Sequence, residues 1–539
     1  MERKRVLWMN VALGGLLGAV LFCVVYGVRI LDVGYDDWLL RGGDLSQHYL
    51  GWRFFRSSPW HFPVGLMSGI LEPLTVSVTY TDSIPLFALP FKLLSPLLPD
   101  TFQYFGLWGL FSFMAQGAFA VLLLRRFTEH LLLTLPGAAV FILSPVMLYR
   151  MYLHTALAGH WIILSALCLW IYHGELRPFS RRLTLWSIQG MLAALIHPYF
   201  LPMMVIIAFC AMLQNWMMSR HLRENLLLFA APIVAALLTL FLLGAFQGGG
   251  NATESGLGVY SANLNALLNS AGHSYFMNAL PLLDGQGEGF GYLGFGMVLG
   301  AAIAVTLVLL SRKAEGKPSW EKGFPVLLAV GAFVILAVSP RVTLGQHVLW
   351  EWPLPSFLTR LLSMFRASGR FIWPVVYLFY LGVFAVILQK APRRAAVTLL
   401  SIILVFQMVD LKGMVISRRQ TYGVPVESTL TLQKEILWEE ATRGRKHLVI
   451  LEPEISVTEH EKGYALAILA LENGMTMNSF NVARLPLERV REEIARHMEE
   501  LASGGDQETL YVSARTDVFR GANLTIHEAD GLFFAVGGE

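Results

Sequence analysis

Carboxylates and arginines set into apolar surroundings are the residues of this chain that could do chemistry. Asp44 opens the run Asp44-Leu45-Ser46-Gln47-His48-Tyr49-Leu50-Gly51-Trp52-Arg53-Phe54-Phe55. Polar residues recur at Gln47, His48 and Arg53, while Leu45, Tyr49, Trp52 and Phe55 fall at helical spacing. The pattern predicts an amphipathic helix on a membrane surface with Asp44 at its N-cap or first turn. Such an Asp either caps the helix or serves as a base that deprotonates a hydroxyl. A second group is Met364-Phe365-Arg366-Ala367-Ser368-Gly369-Arg370-Phe371. Arg366 and Arg370 are four apart, so a helix would place both on one face. Guanidinium groups there suit a phosphate, which they bind in a fork, or they reach toward lipid headgroups.

Histidines form a third group. His154 and His160 lie beside Arg150, His197 precedes Pro198, and His347 follows Gln346. Polar side chains at membrane depth are functional candidates, although a single buried histidine is commonly a hydrogen-bonded structural residue. The sequence Gly285-Gln286-Gly287-Glu288-Gly289-Phe290 runs into Gly291-Tyr292. Glu288 and Tyr292 suit sugar hydroxyls and ring faces, or they pack a plain loop; no Gly-Lys-Ser/Thr follows that would make a phosphate loop. Asp36-Asp37 is the clearest adjacent acidic pair. No close His or carboxylate pairing of metal-site type stands out, so no metal ligands are assigned. Asn251-Ala252-Thr253 fits a glycosylation acceptor, a pattern short enough to occur by chance.

The elements that must position these residues are mostly apolar. Of the 539 residues, 55% are hydrophobic and 15% charged, against about 25% charged in soluble chains. The net charge of +3 is spread over many loops and implies no nucleic-acid partner. Cys23, Cys168 and Cys210 all lie in apolar runs, which predicts neither disulfides nor a zinc site. Bilayer-length runs near 7–28, 104–124, 131–149, 156–174, 183–197, 199–217, 225–245, 291–311, 323–340, 371–389 and 394–410 predict about eleven transmembrane helices. The apolar stretch Ser83–Leu98 contains Pro85, Pro90, Pro96 and Lys92. If it does not cross, the clusters Arg3-Lys4-Arg5, Arg125-Arg126, Arg177/Arg181/Arg182, Arg220/Arg223, Arg312-Lys313/Lys317/Lys322 and Lys390/Arg393/Arg394 share one side, which the positive-inside rule makes the cytoplasm. It therefore reads as a helix that lies along the membrane surface or dips into it. The N-terminus is then cytoplasmic, the C-terminal domain lies outside, and the candidate residues gather on the outer face. The turn at Ile196-His197-Pro198-Tyr199-Phe200 should lie below the outer surface, within protein or a water-filled cavity.

These features resemble the GT-C superfamily of polytopic membrane glycosyltransferases, in a bacterial branch carrying Gly-Asp-x-x-Gln-His and Phe-Arg-x-Ser-Gly-Arg-Phe. Asp44 stands where that family's catalytic Asp is expected, and Tyr80–Lys92 looks like its later surface helix. The resemblance implies a transmembrane domain over 1–410, with a first periplasmic loop over 29–103, and a periplasmic α/β domain over 411–539. It implies a multi-pass protein of the bacterial inner membrane that moves a sugar from a polyprenyl-phosphate donor to a glycan or lipid acceptor. Asp44 would be the base, most simply with inversion at the anomeric carbon. Asp36, Asp37, His48, Arg366, Arg370, His154, His160, His197, Glu288, Tyr292 and His347 are the candidate substrate contacts. Asp36-Asp37 matches the family's frequent acidic pair only loosely, and a divalent metal is left open. A transporter or flippase of lipid-linked sugars is the alternative; it predicts internal repeats and broken helices at the midplane, but no convincing repeat stands out and the polar residues cluster outside rather than at mid-depth. A ligase or acyltransferase on the same membrane plan is a third reading, which predicts more outer-face basic residues than these loops carry. In the C-terminal part, Lys446–Leu451, Thr509–Val512 and Leu532–Val536 read as strands and Leu487–Leu501 as an amphipathic helix. Asn478-Ser479-Phe480-Asn481 and Arg484 read as a turn before that helix or as acceptor contacts.

Overall fold

A computed structural model describes residues 2–247, 256–311, 319–452, 455, 459–520 and 524–537. The triplet Asn251-Ala252-Thr253 and the basic residues Arg312, Lys313 and Lys317 lie outside the described residues. Every one of the eleven apolar runs forms or enters a helix. Among the described residues, however, seven helices are long and apolar enough to cross a membrane, or eight if the pair Arg393–Asp410 and Lys412–Tyr422, bent by 54°, is one span. The expected count of eleven is not reached, and the shortfall has local causes. Thr155–Ile171 and Phe295–Leu310 are apolar but shorter, and Phe179–Ile196 carries Arg181 and Arg182 in its first turn.

Small residues set the helix packing where backbones meet. A Cβ on Gly14 would stand 2.6 Å from the Gly117 carbonyl oxygen, and one on Gly117 would stand 2.2 Å from that of Gly14. Helices Glu2–Tyr26 and Phe105–Leu124 therefore approach more closely than larger side chains permit. The helix Lys412–Tyr422 returns to Glu2–Tyr26, and the Tyr422 ring closes a cluster with Tyr26, Trp38 and Tyr152 at centroid distances of 5.0–5.9 Å.

The amphipathic helix expected from Asp44 onward is present as Gly43–Ser57. Tyr49, Trp52 and Phe55 are buried as the spacing requires, but His48 is buried as well, at 1% exposure. An antiparallel hairpin, Leu66–Leu71 and Leu74–Ser77, follows. Next comes the helix Pro85–Leu93. Its nine residues span roughly 13 Å, less than half of the ~30 Å hydrocarbon core. This segment packs as a short element on the first loop and on Phe179–Ile196.

The C-terminal region forms a five-stranded sheet in the order Thr476–Met477, His447–Ile450, Thr509–Ser513, Leu532–Val536, Ile526–Ala529. The first two pairings are parallel and the last two antiparallel. Helix Leu487–Ala502 matches the expected amphipathic helix. The sheet sits on the first loop. Glu72 N donates to Met477 O at 2.7 Å, Ala483 N to Tyr80 O at 2.8 Å, and Gln47 Nε2 to Asn481 O at 2.6 Å. The turn before Leu487–Ala502 thus faces the Asp44 helix, together with the helix His460–Glu472, which packs on it.

Candidate functional site

The loops that follow separate helices converge at one end of the bundle. Asp44 occupies the first turn of Gly43–Ser57, after Gly42 and Gly43, whose φ of 85° and 67° suits glycine. The N-cap makes no side-chain bond. Instead the Asp44 Oδ2 lies 2.7 Å from His154 Nδ1, and the Asp44 side chain is 41% exposed. The opposite ring nitrogen, His154 Nε2, lies 3.4 Å from Glu288 Oε1. Both nitrogens therefore face carboxylate oxygens, an arrangement that only a doubly protonated imidazole can satisfy with two donors.

Glu288 is the anionic centre of the group. Arg150, which is 1% exposed, sets Nη1 at 3.1 and 3.2 Å from the two carboxylate oxygens and donates from Nη2 to the Glu288 carbonyl at 2.9 Å. Arg370 brings Nε and Nη2 each to 2.8 Å from Glu288 Oε2. Aromatic faces support both guanidinium groups: Arg370 lies 4.6 Å from the Tyr199 ring centre, and Arg150 lies 5.5 Å from that of Trp373. One helical turn after Asp44, His48 Nε2 is 3.9 Å from Asp82 Oδ2. Asp82 Oδ1 lies 3.3 Å from His197 Nε2. Since His197 Nδ1 accepts from Tyr199 N at 3.1 Å, Nε2 must carry the proton that Asp82 receives. Asp82 has φ +50°, a left-handed conformation that is uncommon for a residue with a side chain.

These neighbours set the charges. Burial pushes the Asp44 carboxyl up, but the hydrogen bond and charge of His154 outweigh it and leave it below the ordinary value. Burial likewise disfavours protonated His154, yet its bonds to Asp44 and Glu288 win and raise it. Glu288 and Asp82 are held well below the carboxylate range. Burial acts against this in both cases; His154, Arg370 and Arg150 overcome it at Glu288, and His197 and His48 overcome it at Asp82. His48 goes the other way, with burial lowering it to about 4 despite the nearby Asp82 and Asp44 charges.

The remaining candidates lie elsewhere. Arg366 does not join Arg370: residues Ser368–Ile372 form a 3-10 turn rather than an α-helix, and the Arg366 guanidinium stacks 5.8 Å from the Tyr260 ring. The guanidinium that shares Glu288 with Arg370 is that of Arg150. Asp36 accepts a 2.6 Å bond from the Tyr49 hydroxyl, and Asp37 accepts from Ser428 N, so each ties the first loop in place. His160 is fully buried against Tyr377 and Trp373. Tyr292 donates to Asp410 at 2.9 Å, and His347 is exposed on the hairpin Arg341–Leu344/His347–Glu351. The residue that sequence reasoning passed over is Asp82. Its signal was present as a lone carboxylate between apolar runs, but the turn that aims it has no periodicity. Among the described residues no three His, Cys, Asp or Glu side chains are placed to hold a metal ion; Asp44 and Glu288 are joined through His154 instead.

Beside this cluster lies an apolar cavity of about 310 Å³, whose lining includes Leu336, Trp352, Leu362, Phe365 and Phe371. Tyr199 stands between the two, with its ring 5.4 Å from that of Phe365 on one side and 4.6 Å from the Arg370 guanidinium on the other.

A family model described as a domain of unknown function (DUF6311) matches residues 15–412, and one described as the DUF6311 C-terminal domain matches 437–537. The chain belongs to the DUF6311 family. The cluster of this DUF6311 protein falls wholly within the first matched region, and the five-stranded sheet falls within the second. Among solved structures, the archaeal oligosaccharyltransferase AglB from Archaeoglobus fulgidus, in complex with an inhibitory peptide and a dolichol-phosphate, is similar at a TM-score of 0.46. The identity is 12%, over 95% of this chain and 69% of that one. No curated protein matches the sequence.

Proposed function

We propose that this protein is a GT-C-like membrane glycosyltransferase. It transfers a sugar from a polyprenyl-phosphate donor to a hydroxyl of a surface glycan or other acceptor, on the periplasmic face of a bacterial inner membrane. The observation that carries this reading is the joining of a half-exposed carboxylate, Asp44, to a guanidinium pair beside an apolar cavity. A lipid-linked phosphate sugar has three parts that match: an apolar chain, an anion and a reacting carbon. Arg370 and Arg150 hold the phosphate, and the cavity behind Tyr199 takes the start of the chain.

Asp44 accepts the acceptor's hydroxyl proton through the oxygen that His154 leaves free, as the hydroxyl oxygen bonds to the anomeric carbon. The bond from that carbon to the phosphate oxygen breaks with its electron pair, so polyprenyl phosphate leaves with its charge held by the guanidinium groups. Attack opposite the leaving group inverts the carbon. No separate acid is needed, because phosphate leaves as an anion. A depressed Asp44 suffices as base, since the hydroxyl becomes acidic as its oxygen bonds to carbon. Asp82, which faces His48 one turn after Asp44, orients the acceptor.

The test is incubation of purified protein, in lipid nanodiscs, with labelled polyprenyl-phosphate sugars and a crude glycan acceptor. Release of polyprenyl phosphate with label in the glycan is expected. Intact label crossing a proteoliposome bilayer without bond cleavage would point to transport instead.

A further inference from the structure

Three cations converge on one carboxylate in this site. Arg370 aims Nε and Nη2 at Glu288 Oε2, Arg150 aims Nη1 at both oxygens, and His154 Nε2 faces Oε1. A carboxylate offers about four lone-pair positions, so Glu288 is saturated. The cations are not: Arg150 Nε is buried with no acceptor, and Arg370 Nη1 makes no hydrogen bond among the described residues. A phosphate monoester such as polyprenyl phosphate, with three terminal oxygens, matches this donor set better than the resident carboxylate does. No external anion can reach the inner guanidinium edges while Glu288 holds them.

The backbone around Glu288 is fixed. Gly289 lies under Gly369, whose added Cβ would stand 2.5 Å from the Gly289 Cα. Gln286 is pinned by Asn263 at 2.9 Å and by Thr343 at 2.7 Å. The Glu288 side chain itself is 22% exposed, so it can turn toward solvent without moving the loop.

We propose that Glu288 is a tethered stand-in for the lipid phosphate: it occupies the Arg150–Arg370 site in the empty protein, and the phosphate of polyprenyl phosphate binds by exchange with it. The proposal rests on the lipid-phosphate reading above and adds how that site is kept closed. Exchange would also take one carboxylate away from His154, so phosphate binding is linked to the partner of Asp44.

The test is binding of polyprenyl phosphate to the full-length protein in detergent micelles, comparing wild type with Glu288→Gln and Glu288→Asp, each checked for cooperative melting. Glu288→Gln removes the charge. Glu288→Asp keeps the charge but draws it back by one methylene, so it can no longer span both guanidinium groups. Both are expected to bind at least tenfold more tightly than wild type, and the gain should vanish when Arg370→Ala is added. If Glu288→Gln tightens binding while Glu288→Asp matches wild type, only net charge matters and the stand-in role is overturned. Weaker binding by both would make Glu288 a positioning residue and overturn it too. If neither wild type nor the folded variants bind, the phosphate reading itself fails and takes this proposal with it.

Discussion

Gly369 rests on the backbone of Gly289, so closely that a side chain on Gly369 would meet the Gly289 Cα at 2.5 Å and its nitrogen at 2.7 Å. The residues next to these glycines, Arg370 and Glu288, consequently meet at 2.8 Å. A contact between two bare backbones thus registers two loops, far apart in sequence, that carry opposite charges. Gly369→Ala should cost about 1–3 kcal/mol through overpacking. Thermal melting in detergent would show the lowered midpoint. Gly382→Ala, which lies mid-helix and meets nothing within 4 Å, is the control and should melt at or slightly above the wild-type midpoint.

Removing the resident anion altogether should be severe. Glu288→Ala leaves Arg150 buried without its carboxylate, and breaking a buried pair in this way costs about 3–5 kcal/mol. Denaturation of Glu288→Ala should show that loss, and adding Arg150→Met should recover part of it. An additive double mutant would contradict the pairing.

The Asp44–His154 bond should make stability depend on pH in a defined window. His154 is raised in the folded protein, so its contribution is complete below its ordinary value of 6.5 and is lost as pH rises through the higher folded value. Asp44 is lowered, so its contribution is present above its ordinary 3.8 and is lost as pH falls through the lower folded value. The melting difference between wild type and His154→Asn should be largest between about pH 4 and 6.5 and should shrink in alkali. A difference that stays undiminished as pH rises from 6.5 into alkali would contradict the bond.

His48 should act in the opposite sense. Its folded value is lowered to about 4, so its contribution is present above 6.5 and declines as pH falls toward 4, because the unfolded chain takes up a proton that the buried ring resists. His48→Leu should be less sensitive to acid than wild type between those values, as read by melting midpoints.

The Gly43–Ser57 helix was legible in the sequence because its apolar residues recur at helical spacing, and Asp44 came with it. The strands His447–Ile450, Thr509–Ser513 and Leu532–Val536 were legible for the parallel reason of local composition. Asp82 was not, since it is aimed by a left-handed turn and meets His197 from another loop. The spacing of Arg366 and Arg370 suggested a shared helix face, but the 3-10 turn at Ser368 rotates them apart, and the true partner, Arg150, is 220 positions away. Contacts between loops at one end of a helical bundle leave no periodic trace in a single sequence. The edge strand Thr476–Met477 was missed because two residues carry no alternation.

The cavity behind Tyr199 gives a further expectation. Leu362→Trp would fill part of its 310 Å³. The KM for a long-chain polyprenyl-phosphate sugar should then rise about tenfold, the equivalent of roughly 1.4 kcal/mol. A short-chain analogue should be much less affected. Equal effects on both would place the chain elsewhere.

The most direct test of the account is turnover by Asp44→Asn with labelled polyprenyl-phosphate sugar in nanodiscs. The amide keeps the size of the side chain but can no longer accept the hydroxyl proton. Release of polyprenyl phosphate should fall at least a hundredfold, in a protein that still melts cooperatively and still binds the donor. Release at the wild-type rate would remove Asp44 as the base and contradict the proposed chemistry.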